Sequence, residues 1–131
     1  MTEMQKPEDI WAAALDEAPA RHEEQPPVFL RVEAWPYPDL RRIWVRAEIS
    51  PFAAYPNLEL TITDERGQTV SSMFMVEVRE TYQSVTMHLR REPEAGKTYN
   101  LALELTRDEA LLDARSLPFV LAFRDPKGED K

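Results

Sequence analysis

The side chains most able to do chemistry are two histidines, His22 and His88, and the serines Ser50, Ser71, Ser72, Ser84 and Ser116; cysteine is absent. A protein zinc site gathers three or four nitrogen, sulfur or carboxylate ligands. His22 and His88 lie far apart in the chain, and no carboxylate cluster is spaced to join either one, so neither a metal site nor a cofactor is expected. None of the serines stands in a Gly-x-Ser-x-Gly elbow. A Ser–His–acid triad assembles by geometry, independent of chain order, but nothing in the spacing points to one. Gly67, Gly96 and Gly128 are the only glycines, too few and too scattered for a phosphate-cradling loop. The acid pairs Asp64-Glu65 and Asp108-Glu109 fall where turns or helix caps place acids, and a glycosidase pair needs a cleft that a short domain does not supply. No catalytic residue is expected, and the chain reads as a non-enzyme.

Binding chemistry is better represented. With Trp35 paired near Arg42 across the segment 36–41, Trp44 lies two residues along, so Trp35, Trp44 and Arg46, with Phe29 and Arg31 beside them, fall on the polar face of one hairpin, and His88 and Arg90 extend that patch from a neighbouring strand. Exposed tryptophans beside arginines anchor protein interfaces or stack on sugar rings. The first reading is a protein–protein interaction module, or a homodimer contact. The alternative is a carbohydrate or small-ligand binding module that uses Trp35, Trp44 and Tyr37. A second candidate is the N-terminal segment, where Ile10, Trp11 and Leu15 share one face of a short helical pattern begun by Pro7, Glu8 and Asp9. Such a face docks into a groove on a partner or covers an edge of its own domain. With Phe74 and Val76 facing the core, Met73 and Met75 point outward or lie partly buried under a neighbouring loop, and the doublets Arg41-Arg42 and Arg90-Arg91 are expected at strand ends, solvated or paired with nearby acids.

The elements that position these groups are strands. From residue 28 to residue 123 the apolar positions recur every second residue, the period of a half-buried strand. Val28–Ala34, Ile43–Ile49, Leu58–Ile62, Phe74–Val78, Val85–Leu89, Tyr99–Leu105 and Leu117–Phe123 give seven such segments. Seven strands with one apolar face each resolve into two antiparallel sheets packed face to face. The expected class is all-β: an immunoglobulin-like antiparallel β-sandwich of about seven strands, with a short N-terminal helical or disordered arm. Tyr99, just after the turn-forming stretch 92–96, resembles the tyrosine corner of such sandwiches, in which the hydroxyl bonds to backbone a few residues upstream. Gly67 closes the turn Asp64-Glu65-Arg66-Gly67 and is expected at positive φ. Pro118 lacks an N–H, which places the last strand at a sheet edge or starts it after that residue. Asp108 is expected to cap a short helical turn through Leu112.

Three parts follow: an acidic, proline-containing arm over 1–27, the sandwich domain over 28–123, and a flexible tail over 124–131. Of the net charge of −8, the arm carries −5, from seven acids against Lys6 and Arg21. That field repels phosphate backbones, so nucleic acid is not an expected partner. The longest apolar run, residues 10–15, is far short of the ~20 residues that span a bilayer, so no membrane partner is expected either. With no cysteine and no basic-then-apolar leader at the N-terminus, a cytoplasmic location is the simplest expectation.

Overall fold

A computed structural model describes residues 25–127. Seven strands run in order: β1 (Phe29–Pro36), β2 (Arg42–Ile49), β3 (Asn57–Thr63), β4 (Thr69–Met75), β5 (Tyr82–His88), β6 (Thr98–Arg107) and β7 (Ala110–Val120). They form a three-stranded sheet, β1-β2-β5, and a four-stranded sheet, β4-β3-β6-β7, with antiparallel pairing throughout. The fold is the β-sandwich that the two-residue period implies.

Strict alternation fixes the core. Ile43, Val45, Ala47 and Ile49 of β2 are buried, as are Leu58, Leu60 and Ile62 of β3 and Leu101, Leu103 and Leu105 of β6. Each aliphatic side chain taken fully from water contributes about 1.5–3 kcal/mol before the ordering entropy is subtracted. A one-residue slip in these central strands would expose the whole row, and this pins the register.

Three sequence-level details hold. Gly67 sits at φ 81°, and its N–H donates to the Asp64 carbonyl at 2.9 Å. Tyr99 is buried, and its hydroxyl accepts the Glu94 N–H at 3.1 Å, fastening the connection that leads from the first sheet into β6. Its ring stacks on Phe119 of β7, with centroids 6.0 Å apart. The strand containing Pro118 is an edge strand.

Four details differ from expectation. The pairing of β1 with β2 shifts between Phe29 and Arg31, and this bulge turns Phe29 into the core while Val28 and Leu30 are exposed. Phe29 is therefore not part of the outer tryptophan face. In β4 the phase is reversed: Met75 lies opposite Leu58 and Met73 opposite Leu60, so the methionines pack on the core and Phe74 and Val76 face solvent. Asp108 caps no helical turn. Asp108 and Glu109, at φ 52° and 66°, form a two-residue hairpin between Arg107 and Ala110, and β7 starts there. Phe123, expected to close the last strand, lies beyond β7 and is half exposed.

Candidate functional site

The outer face of β1-β2-β5 brings together the aromatic and basic residues singled out above. Its register is set by the turn from Tyr37 to Arg42. The Tyr37 N–H donates to the Arg42 carbonyl at 2.8 Å, and the Leu40 N–H to the Tyr37 carbonyl at 2.9 Å. Leu40 takes φ 60°, a strained value for leucine, and its side chain packs against the core. Asp39 holds the same turn by accepting the Arg41 N–H at 2.9 Å and pairing with Arg42 at 3.1 Å. The bond from the Arg41 N–H counts most in keeping the Asp39 carboxyl below its usual pKa; Arg42 adds to it against a smaller opposing effect of desolvation. The result is that Arg42 pairs with Tyr37 and not near Trp35 as expected, so Trp35 stands directly opposite Trp44, and Glu33 directly opposite Arg46. Arg42 faces His88 across to β5, so the patch extends onto that strand at His88, whereas Arg90 lies beyond the strand and its N–H donates to the Val70 carbonyl of β4 at 2.8 Å.

Glu33 is the hub of the face. Its carboxylate accepts from the Arg31 Nε at 2.8 Å and the Trp35 Nε1 at 3.0 Å, and it pairs with the Arg46 guanidinium at 3.3 Å. Desolvation pushes its pKa up, but the bonds from Trp35 and Arg31 and the charges of Arg31 and Arg46 together outweigh that and hold it below the usual carboxylate value. Arg46 reaches on to β5, donating from Nε to the Tyr82 hydroxyl at 2.7 Å, and this bond is the main reason its pKa lies above the ordinary arginine value. The Trp44 indole N–H donates to Ser84 Oγ at 2.8 Å, and the Tyr37 hydroxyl lies 3.3 Å from Thr86 Oγ1.

Guanidinium groups cover the rings. Arg46 lies 4.9 Å from the Trp44 ring centre, Arg42 4.3 Å from Tyr37, and Arg124 4.6 Å from Trp35. These are cation–π distances. The contact with Trp35 gives the segment 124–127 an anchor that hydropathy does not reveal. Both tryptophans are partly exposed, with their polar edges satisfied. Between the Trp35–Trp44 pair and this returning segment lies an open groove of about 460 Å³, walled by Tyr37, Arg46, Phe123 and Lys127 among others.

Of the sequence candidates, Trp35, Trp44 and Arg46 are brought into one patch; Ile10, Trp11 and Leu15 lie outside the described residues. Glu33 was not singled out from sequence. The available signal was its position as the acid between Arg31 and Trp35 on the same strand face. Among the described residues no group of three His, Asp or Glu side chains is placed to hold a metal ion. No helix there is long and apolar enough to cross a membrane.

No family model and no curated protein matches the chain. Solved structures are similar in fold. A glycosyl hydrolase family 2 member from Bacteroides cellulosilyticus superposes with a TM-score of 0.54 at 15% identity, over 73% of this chain and 15% of that one. The β-glucuronidase of Bifidobacterium dentium, in complex with coumarin-3-O-glucuronide, gives 0.58 at 13% identity, over 73% and 18%. The β-glucuronidase of Ruminococcus gnavus gives 0.50 at 11% identity, over 72% and 16%. The match thus spans less than a fifth of each enzyme, and at such identity the likeness is one of fold: this chain resembles a β-sandwich domain of these glycosidases.

Proposed function

We propose that this domain is a non-catalytic binding module that docks another protein on the outer face of β1-β2-β5. The observation that carries the reading is the groove beside the Trp35–Trp44 pair, where large rings, two cationic side chains and a half-exposed Phe123 share one surface. Tryptophan and arginine are the residue types that dominate binding energy at protein interfaces. The ion pairs and indole hydrogen bonds hold these rings in place beforehand, which lowers the entropy lost on binding. A sugar stacks on a bare ring face, and on Trp35 and Trp44 a guanidinium lies over the ring, which favours a protein partner over the carbohydrate alternative.

The test is site-specific photo-crosslinking in extract of the native cells. A photoreactive side chain at position 44 is compared with one at position 59, on the exposed outer face of the four-stranded sheet. Discrete protein adducts at 44 and none at 59, abolished by Arg46→Ala, support the reading. Adducts equal at both positions, or absent at 44, refute it.

A further inference from the structure

The two sheets are joined unequally along the side where β1 and β7 run beside each other. At the start of β1 the joint is closed by side chains of β7. The Phe29 N–H donates to the Asp113 carboxylate at 2.8 Å, and the Phe29 carbonyl accepts from Arg115 at 2.6 Å. Further along, among the described residues no strand lies between the two edges, and a groove of about 530 Å³ opens. Its apolar wall comes from Val32, Ala34, Leu117, Phe119 and Val120.

Backbone groups face this seam as well. Bonding alternates along an antiparallel pair. The Tyr37–Arg42 bond sets the phase, so Arg31, Glu33 and Trp35 bond to β2. The N–H groups of Val32 and Ala34 then point out of the sheet edge, toward β7. Pro36 in the same phase has no N–H to present, and the outward Pro118 of β7 has none either. The seam therefore combines apolar surface with a short row of edge donors.

We infer that residues 10–15 of this chain's own N-terminal segment seat in the seam between β1 and β7. Composition, reach and charge each support this occupant. Outside the described residues the chain has two segments, and residues 128–131 (Gly-Glu-Asp-Lys) carry no large apolar side chain, whereas residues 10–15 (Ile-Trp-Ala-Ala-Ala-Leu) form the longest apolar run in the protein. The chain enters at Gln25, next to Leu112 and Arg107, at the closed end of the joint. From Phe29 to Trp35 is about 20 Å along the strand, and the residues between Leu15 and Gln25 span up to about 30 Å when extended. Residues 1–24 carry a net charge of −5, from seven acids against Lys6 and Arg21. Arg124 lines the seam; at its closed end Arg115 stands beside Asp113, and the acid lining it, Glu33, is paired with Arg31 and Arg46. The seam shares Trp35 with the binding groove on the outer face, so an occupant of one lies next to an occupant of the other.

The absence of cysteine makes the test clean, because an introduced pair reports on itself alone. In the 131-residue chain, Ala13→Cys is combined with Val120→Cys at the seam, or with Glu59→Cys on the far sheet as control. Under mild oxidation the seam pair is expected to close within one chain at least tenfold faster than the control pair. Hydrogen exchange gives an independent readout: the amides of Val32 and Ala34 should exchange at least tenfold more slowly in the unmodified chain than in the triple variant I10S/W11S/L15S. Equal crosslinking rates, or unchanged exchange in the triple variant, overturn the inference. So does a disulfide found only between two chains, which assigns the seam to a second copy's segment.

Discussion

Replacing Tyr99 by phenylalanine removes a single oxygen from a buried ring, and its effect can be worked out from the contacts. The ring stays, and with it the stacking on Phe119. What is lost is the bond from the Glu94 N–H to the hydroxyl, 3.1 Å long and partly buried. A neutral hydrogen bond contributes a net ~0.5–1.5 kcal/mol, and stranding its partner in a dry site costs up to about 3 kcal/mol. The Glu94 N–H is near enough to the surface for water to recover part of this, so a loss of about 1 kcal/mol is expected. With a urea slope of ~2 kcal/mol/M for a domain this size, the midpoint falls by roughly 0.5 M at unchanged slope. Tyr99→Ala also removes the ring, and by the usual large-to-small series loses about 3–5 kcal/mol. Urea unfolding followed by tryptophan fluorescence reads both. If Tyr99→Phe matches the parent within about 0.3 kcal/mol, at the edge of what such curves resolve, the hydroxyl does not fasten the crossover, and the corner argument fails.

Two further outcomes follow from the geometry. The folded-state pKa of Glu33 lies below its ordinary value of 4.5, so its contribution to stability is present above that pH and is lost as the pH falls through the lower folded value. Glu33→Gln should therefore flatten the acid limb of a stability curve measured between pH 2 and 7, and an identical limb would show that Glu33 does not contribute to it. The reversed phase of β4 predicts that Met73→Ser costs about 1–3 kcal/mol in thermal unfolding while Phe74→Ser stays within ~0.5 kcal/mol, and the opposite order would restore the phase read from sequence.

The sandwich was legible because β3 and β6 carry apolar residues on one face and polar or small ones on the other, and β2 carries charges beside Trp44 on its outer face, so a period of two has a single solution. Where both faces are apolar the period is satisfied twice. In β4, Met73 and Met75 alternate with Phe74 and Val76, and the choice is made by Leu58 and Leu60 across the strand pair, a contact absent from local sequence. Val28, Phe29 and Leu30 present the same ambiguity, and a bulge resolves it. The Asp108-Glu109 hairpin lacks the glycine or asparagine that normally announces two consecutive positive-φ residues, so its acids read as a helix cap. That Trp35 and Trp44 share a face was legible from strand alternation, but their direct pairing was not, because the turn closes on Tyr37 and Arg42 and shifts the register by two residues. The groove beside the pair was not legible either, because its far wall is the segment after β7, which follows no period and is held by Arg124 on Trp35.

The clamp of Asp113 and Arg115 on Phe29 has a kinetic side. It joins residues 84 and 86 positions apart, whereas the β1–β2, β3–β4 and β6–β7 hairpins close over short loops. By loop-closure entropy alone a contact of that span carries roughly 4 kcal/mol, so it forms only after the intervening strands have shortened the path. The β1–β2 hairpin can be complete while its outer edge is still unattached to β7. During synthesis that edge waits for almost the entire domain to emerge, and Pro36, with no N–H to offer, shortens the stretch on which a stray strand could pair in the meantime.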